Sequence, residues 1–84
     1  MKKIIFSKHS LIQCEERGAE LKQVETAIFE GIKEAAQKDR TKYTMNFQFN
    51  ALWNSKYYPI KQIIVVTVEE GETIIVITVI TKFF

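Results

Sequence analysis

Residues 60–84 read IKQIIVVTVEEGETIIVITVITKFF. Two runs rich in β-branched residues, IKQIIVVTV and TIIVITVITKFF, flank EEGE, and a short polar turn between two such runs marks a β-hairpin. The second run is apolar on both parities. Ile75, Ile77, Val79 and Thr81 line one side, and Val76, Thr78 and Ile80 the other. A strand apolar on both sides belongs in the middle of a sheet or at a subunit interface. Phe83 and Phe84 are costly to leave in water and point to burial against a partner.

Upstream the period changes. KKIIF is a short β-prone segment, followed by Ser7 in the position of a helix N-cap. A first helix then runs to Arg17 and stops at Gly18, with Leu11 and Cys14 marking its buried side. A second runs from about Glu20 to Glu30, with Leu21, Val24 and Ile28 as its buried stripe and Gly31 ending it in the same way. KEAAQKDRTKYTMNFQF alternates, placing Tyr43, Met45, Phe47 and Phe49 on one face of a strand. ALWNSKYYP reads as a connection, with Pro59 at a strand entrance or bulge. The expected fold is α+β, in the order β-α-α-β-β-β, with two N-terminal helices packed on an antiparallel sheet.

The 84 residues make a single domain, 1–84. A chain of this length buries only about two-thirds of the surface it exposes when unfolded. With 46% hydrophobic residues concentrated near the C-terminus, a homodimer is the simplest second cover. The net charge of +2 does not by itself point to nucleic acid. Its distribution is uneven, with nine Lys/Arg against seven Asp/Glu up to Lys42 and three of each beyond. A single cysteine makes no internal disulfide. The apolar start, Ile4–Phe6, is too short for a signal peptide, and Thr and Glu interrupt the C-terminal run before the roughly 20 residues of a membrane helix. A cytoplasmic protein that does not enter a membrane is expected.

The chemistry-bearing residues begin with SKHSLIQCEERG, residues 7–18, which hold the only histidine and the only cysteine. His9, Gln13 and Arg17 are spaced i, i+4, i+8 and share a helix face. The pattern suits a general base beside an anion binder, and equally a polar helix surface. In KDRTK, an extended backbone would put Lys38, Arg40 and Lys42 in a row at about 6.6 Å spacing, able to follow a phosphate backbone or to discourage edge pairing. In LWNSKYYPIKQ, Trp53, Tyr57 and Tyr58 interleave with Lys56 and Lys61. That mixture suits base stacking, a protein interface or core packing. One histidine and one cysteine on different helix faces make no metal ligand set, so no metal and no cofactor are expected.

The histidine followed by a small residue, the Arg-Gly helix stop and the C-terminal hairpin ending in a Thr-rich strand together resemble a bacterial domain-of-unknown-function family. NFQFNALWNSKYYPIKQIIVV and EEGETIIVITVITKFF are similar to a branch common in cyanobacteria. That family is related to RelE/BrnT-like toxins, and the resemblance covers nearly the whole chain. It implies a RelE-like fold, metal-independent endoribonuclease activity in a toxin–antitoxin pair, and a cognate antitoxin partner. His9 matches the family histidine and Arg17-Gly18 its Arg-Gly. Gln13 stands where an arginine is usual, and Ser10 where alanine is common.

In the reaction so implied, the 2′-OH of the RNA attacks the adjacent phosphate, a base takes its proton and an acid protonates the leaving oxygen. His9 is cast as acid or base, Arg17 and Arg40 as phosphate binders, and Tyr58 or Tyr43 as a proton holder or stacking ring. Lys38, Lys42, Tyr43, Lys56 and Lys61 would contact RNA. The alternative is a non-catalytic protein-binding module, or an RNA binder, using the apolar C-terminal strand and the basic strand.

Overall fold

In a computed structural model describing residues 2–84, the two periods resolve into two helices and five strands. In chain order these are β1 (Lys3–Phe6), α1 (Lys8–Arg17), α2 (Leu21–Glu30), β2 (Ile32–Ala35), β3 (Thr41–Trp53), β4 (Lys56–Glu70) and β5 (Thr73–Phe83). The fold is α+β, and the sheet order is β1-β5-β4-β3-β2. From β2 onward it is an antiparallel meander, while β1 lies parallel to β5 in the register Lys3–Thr73 to Phe6–Val76. The sheet is therefore mixed. The two helices carry the chain away from the end of β1, and only the last strand returns to pair with it.

Local chemistry accounts for most boundaries. The Ser7 hydroxyl accepts from Ser10 N–H, the N-cap bond of α1, and Gly18 ends the helix in the left-handed region at φ 71°. Glu20 caps α2 in a capping box with Gln23. Gly31 differs from expectation. Its backbone is extended (φ −76°, ψ 176°), and glycine is required by crowding, because an added Cβ would meet the Ala27 and Thr44 carbonyl oxygens at 2.5 and 2.7 Å.

The segment expected to be one strand across KEAAQKDRTKYTMNFQF is two strands, β2 and β3, joined by a turn in which Lys38 and Asp39 both have positive φ. The segment expected to be a connection, ALWNSKYYP, is a hairpin. Asn54 and Ser55 (φ 51° and 68°) form its two-residue turn between the paired Trp53 and Lys56, the sign pattern of a type I′ turn. Pro59 faces a bulge: β3 gains a residue between Gln48 and Ala51, opposite the position where proline has no N–H to offer.

The core lies between the helices and one face of the sheet. Val24, Ala27, Ile63, Val65, Val76 and Val79 are wholly buried, each large aliphatic side chain contributing about 1.5–3 kcal/mol. Leu11 and Leu21, expected inside, are 43% and 46% exposed, and Ser10, Gln13 and Cys14 form the buried side of α1 instead. The same inversion affects β5. Opposite the consecutive pair Val66 and Thr67 stand Thr78 and Val76, so Ile77 is an extra, bulged residue. Parity flips there: Ile74 and Val76 share the helix side with Val79, and the expected Ile75/Ile77/Val79 face does not exist.

Candidate functional site

The face shared by His9, Gln13 and Arg17 exists, and it is turned toward a strand edge. β1 ends at Phe6, so the edge of β5 beyond Val76 has no neighbouring strand among the described residues. Unpaired backbone groups would otherwise remain there at a cost. Ser7 N–H donates to the Val76 carbonyl at 3.1 Å. Three residues further on, Val79 N–H donates to Gln13 Oε1 at 2.9 Å, and Arg17 Nη1 donates to the Val79 carbonyl at 2.7 Å. Two side chains one helical turn apart thus supply the acceptor and donor that a paired strand would. Thr81 Oγ1 adds a bond to the Arg17 carbonyl at 2.8 Å.

These bonds orient the histidine. With Oε1 of Gln13 accepting from Val79, its amide nitrogen faces His9 Nε2 at 2.9 Å and donates to it. Nε2 is then the acceptor, and the ring hydrogen sits on Nδ1. His9 itself is exposed. At 100° per residue, His9, Ile12 and Glu16 lie on the opposite flank of α1 from Ser10 and Cys14, away from the core. Burial pushes the Cys14 thiol above its ordinary range.

At the C-terminus of α1, Lys61 Nζ donates to the Gly18 carbonyl at 2.7 Å, a cation at the negative end of a helix. Lys61 is 4% exposed, and burial pushes its ammonium below the ordinary lysine range, with Glu20 opposing in part. Its charge lies 5.3 Å from the centre of the Phe49 ring. Around it Phe83 stacks on Trp53 (4.8 Å between centroids, 14° between planes) and meets Phe49 and Tyr58 at 5.1 and 5.8 Å. Phe83 is therefore sheltered within its own chain, while Phe84 is 54% exposed. A Cβ at Gly18 would come within 2.6 Å of the Trp53 ring, so glycine is needed there both for space and for φ.

The remaining sequence-selected residues are dispersed. The row Lys38–Arg40–Lys42 does not form, because positive φ at Lys38 and Asp39 makes this segment a turn. Lys42 lies on β3, 3.8 Å from Glu34. Arg40 precedes Thr41, which lies three strands from Phe6 along the register Phe6–Val76–Thr67–Thr41, about 14 Å at ~4.8 Å per strand. Tyr43 is 4% exposed. Lys56 sits over the Tyr58 ring at 5.5 Å, and Tyr57 donates to Asn50 Oδ1. Of the residues assigned to catalysis, His9 and Arg17 are linked through Gln13 and the Val79 backbone, while Tyr58 packs on Phe83 in the aromatic cluster and Arg40 lies apart.

A different surface emerges on the side of the sheet away from the helices. The register places Ile64 and Val66 of β4 beside Ile80 and Thr78 of β5, with Val68, Ile75 and Ile5 continuing the patch. Thr44, Asn46 and Gln48 of β3 form a polar border, where Gln62 donates to Asn46 at 2.9 Å. Neither helix covers this face. Sequence reasoning recognised an apolar second face, but a regular alternation assigned it the wrong residues beyond Ile77.

The chain matches no family model, no curated protein and no solved structure. No helix among the described residues is long and apolar enough to cross a membrane.

Proposed function

We propose that this chain is a non-catalytic protein-binding module that docks through the uncovered face of its sheet, and that the occupant is a second copy. The carrying observation is the apolar patch centred on Ile64, Val66 and Ile80, on the side of the sheet that no helix covers. Five strands at ~4.8 Å and ladders of about seven residues at ~3.3 Å give a flat footprint of roughly 550 Å². That is below the ~800 Å² per partner of a standard-size interface and in the range of a weak, concentration-dependent dimer. An apolar centre with a polar border is self-complementary about a twofold axis.

Sedimentation across a range of concentrations tests this. A dimer is expected for the parent, and a folded monomer for Ile64→Lys and Ile80→Lys. A parent that stays monomeric at high concentration overturns the self-association. If it then captures another protein through Ile80, the face serves a different partner.

The RelE/BrnT-like ribonuclease, with RNA and an antitoxin as partners, is the second reading. It draws on the exposed His9, whose tautomer is set by Gln13. The two readings part in one comparison. The module predicts that RNA stays intact with and without ribosomes, and that any growth phenotype survives His9→Ala but not Ile80→Lys. RNA cleavage lost in His9→Ala would reverse the choice.

A further inference from the structure

On the helix side of the sheet, remote from the docking face, the ends of α2, β2 and β4 surround a cavity of about 290 Å³. Tyr43 forms part of its lining and is only 4% exposed. No hydrogen bond to the Tyr43 hydroxyl occurs among the described residues, yet none of their sealed side-chain polar atoms lacks a partner. Tyr43 lines the cavity, which is the side from which solvent can reach its hydroxyl. A phenylalanine would fill the core equally well, so the oxygen is the unexplained part of this residue.

The surrounding groups define what that hydroxyl could bind. Lys33 Nζ stands 6.0 Å from the centre of the Tyr43 ring, at the cavity wall. Lys2 and Glu69 also line the cavity; the Lys2 ammonium, hydrogen-bonded to Glu69 at 2.7 Å, and more weakly Lys33 hold the Glu69 carboxyl below its ordinary range, so the lining carries two cations and one anion. The apolar wall is Ile28, Ile74 and Phe29, whose ring is 62% exposed. A donor hydroxyl in a lining of two cations and one anion matches a single negative charge better than a doubly charged phosphate.

We infer that this cavity binds a small organic carboxylate carried on an aromatic or branched apolar body. The carboxylate accepts from the Tyr43 hydroxyl and faces Lys33, while the body lies on Phe29 and Ile28. Such an arrangement follows the general form of small-molecule sites, an apolar wall with a few placed polar groups.

Ligand-observed NMR and calorimetry with 3-phenylpropionate as the probe test the site, with 3-phenylpropionamide as the neutral control. Saturable binding of the carboxylate is expected, about ten-fold weaker in Tyr43→Phe and in Lys33→Gln, as for loss of a charge-assisted hydrogen bond. The amide should bind at least as weakly as the carboxylate does to these variants. Because the hydroxyl has no protein partner, Tyr43→Phe should melt with the parent, so lost binding cannot be attributed to unfolding. Absence of saturation at millimolar probe, equal binding of the amide, or undiminished binding by Tyr43→Phe each overturns the assignment. The docking face is on the other side of the sheet, so Ile80→Lys should leave this binding unchanged.

Discussion

Gln13 and His9 are adjacent on the same helix, yet the bonds they make assign them different duties. Gln13 is 7% exposed and accepts from a buried backbone N–H, so Gln13→Ala leaves that donor unpaired and should cost about 1–3 kcal/mol. His9 only receives the spare amide hydrogen, and His9→Ala should change the unfolding free energy by less than about 0.5 kcal/mol. Chemical denaturation of the two variants checks the contrast. Burial raises the Cys14 thiol, so it should resist alkylation at neutral pH and react fully once denatured. Burial lowers the Lys61 ammonium, so between its folded value and the ordinary ~10.4 the unfolded chain binds more protons. Stability of the parent, relative to Lys61→Met, should therefore rise as pH climbs toward that value and fall back toward neutrality. Unfolding curves of both proteins at paired pH values would show it. The i, i+4, i+8 spacing revealed that His9, Gln13 and Arg17 share a face, but the backbone edge that uses two of them comes from a strand more than sixty residues away.

Among the elements, the bulge at Ile77 has the largest consequence. One additional residue moves Val79 to the helix side, where it is wholly buried and offers its backbone to α1. An uncompensated charge there has no partner, so Val79→Asp should cost more than about 3 kcal/mol and leave the chain largely unfolded. Ile80→Lys, one position away, should retain the parent circular dichroism spectrum because its side chain stands on the open face. Similar stability in both variants would contradict the register. Alternation in the sequence identified the two strands of the C-terminal hairpin but carried no sign of the bulge, since Ile77 is as apolar and β-branched as its neighbours. The Asn54-Ser55 turn was missed for a related reason. Without glycine it resembles ordinary loop sequence, although asparagine tolerates the positive φ that the turn needs.

For the whole molecule, the helices cover one side of a five-stranded sheet and leave the other to solvent or to a partner. If that partner is a second copy, folding and association are linked, and the melting temperature should rise with protein concentration. Ile64→Lys should remove this dependence while preserving the secondary structure. A melting temperature independent of concentration in the parent would separate stability from the open face. The same architecture keeps the Tyr43 cavity and the apolar patch on opposite sides, so one can be altered without touching the other.

Local signals in the chain were sufficient for the class of fold. Periodicity separated helices from strands, Ser7 and Gly18 bounded the first helix, and EEGE marked the last hairpin. Each of these depends on neighbours within a few residues, where sequence and conformation are tightly coupled. The pairing of β1 with β5, the capping of a strand edge by Gln13 and Arg17 and the side occupied by Val79 were decided by tertiary structure. They depend on hydrogen bonds and packing between distant segments, and a single bulge is enough to reverse what local alternation implies.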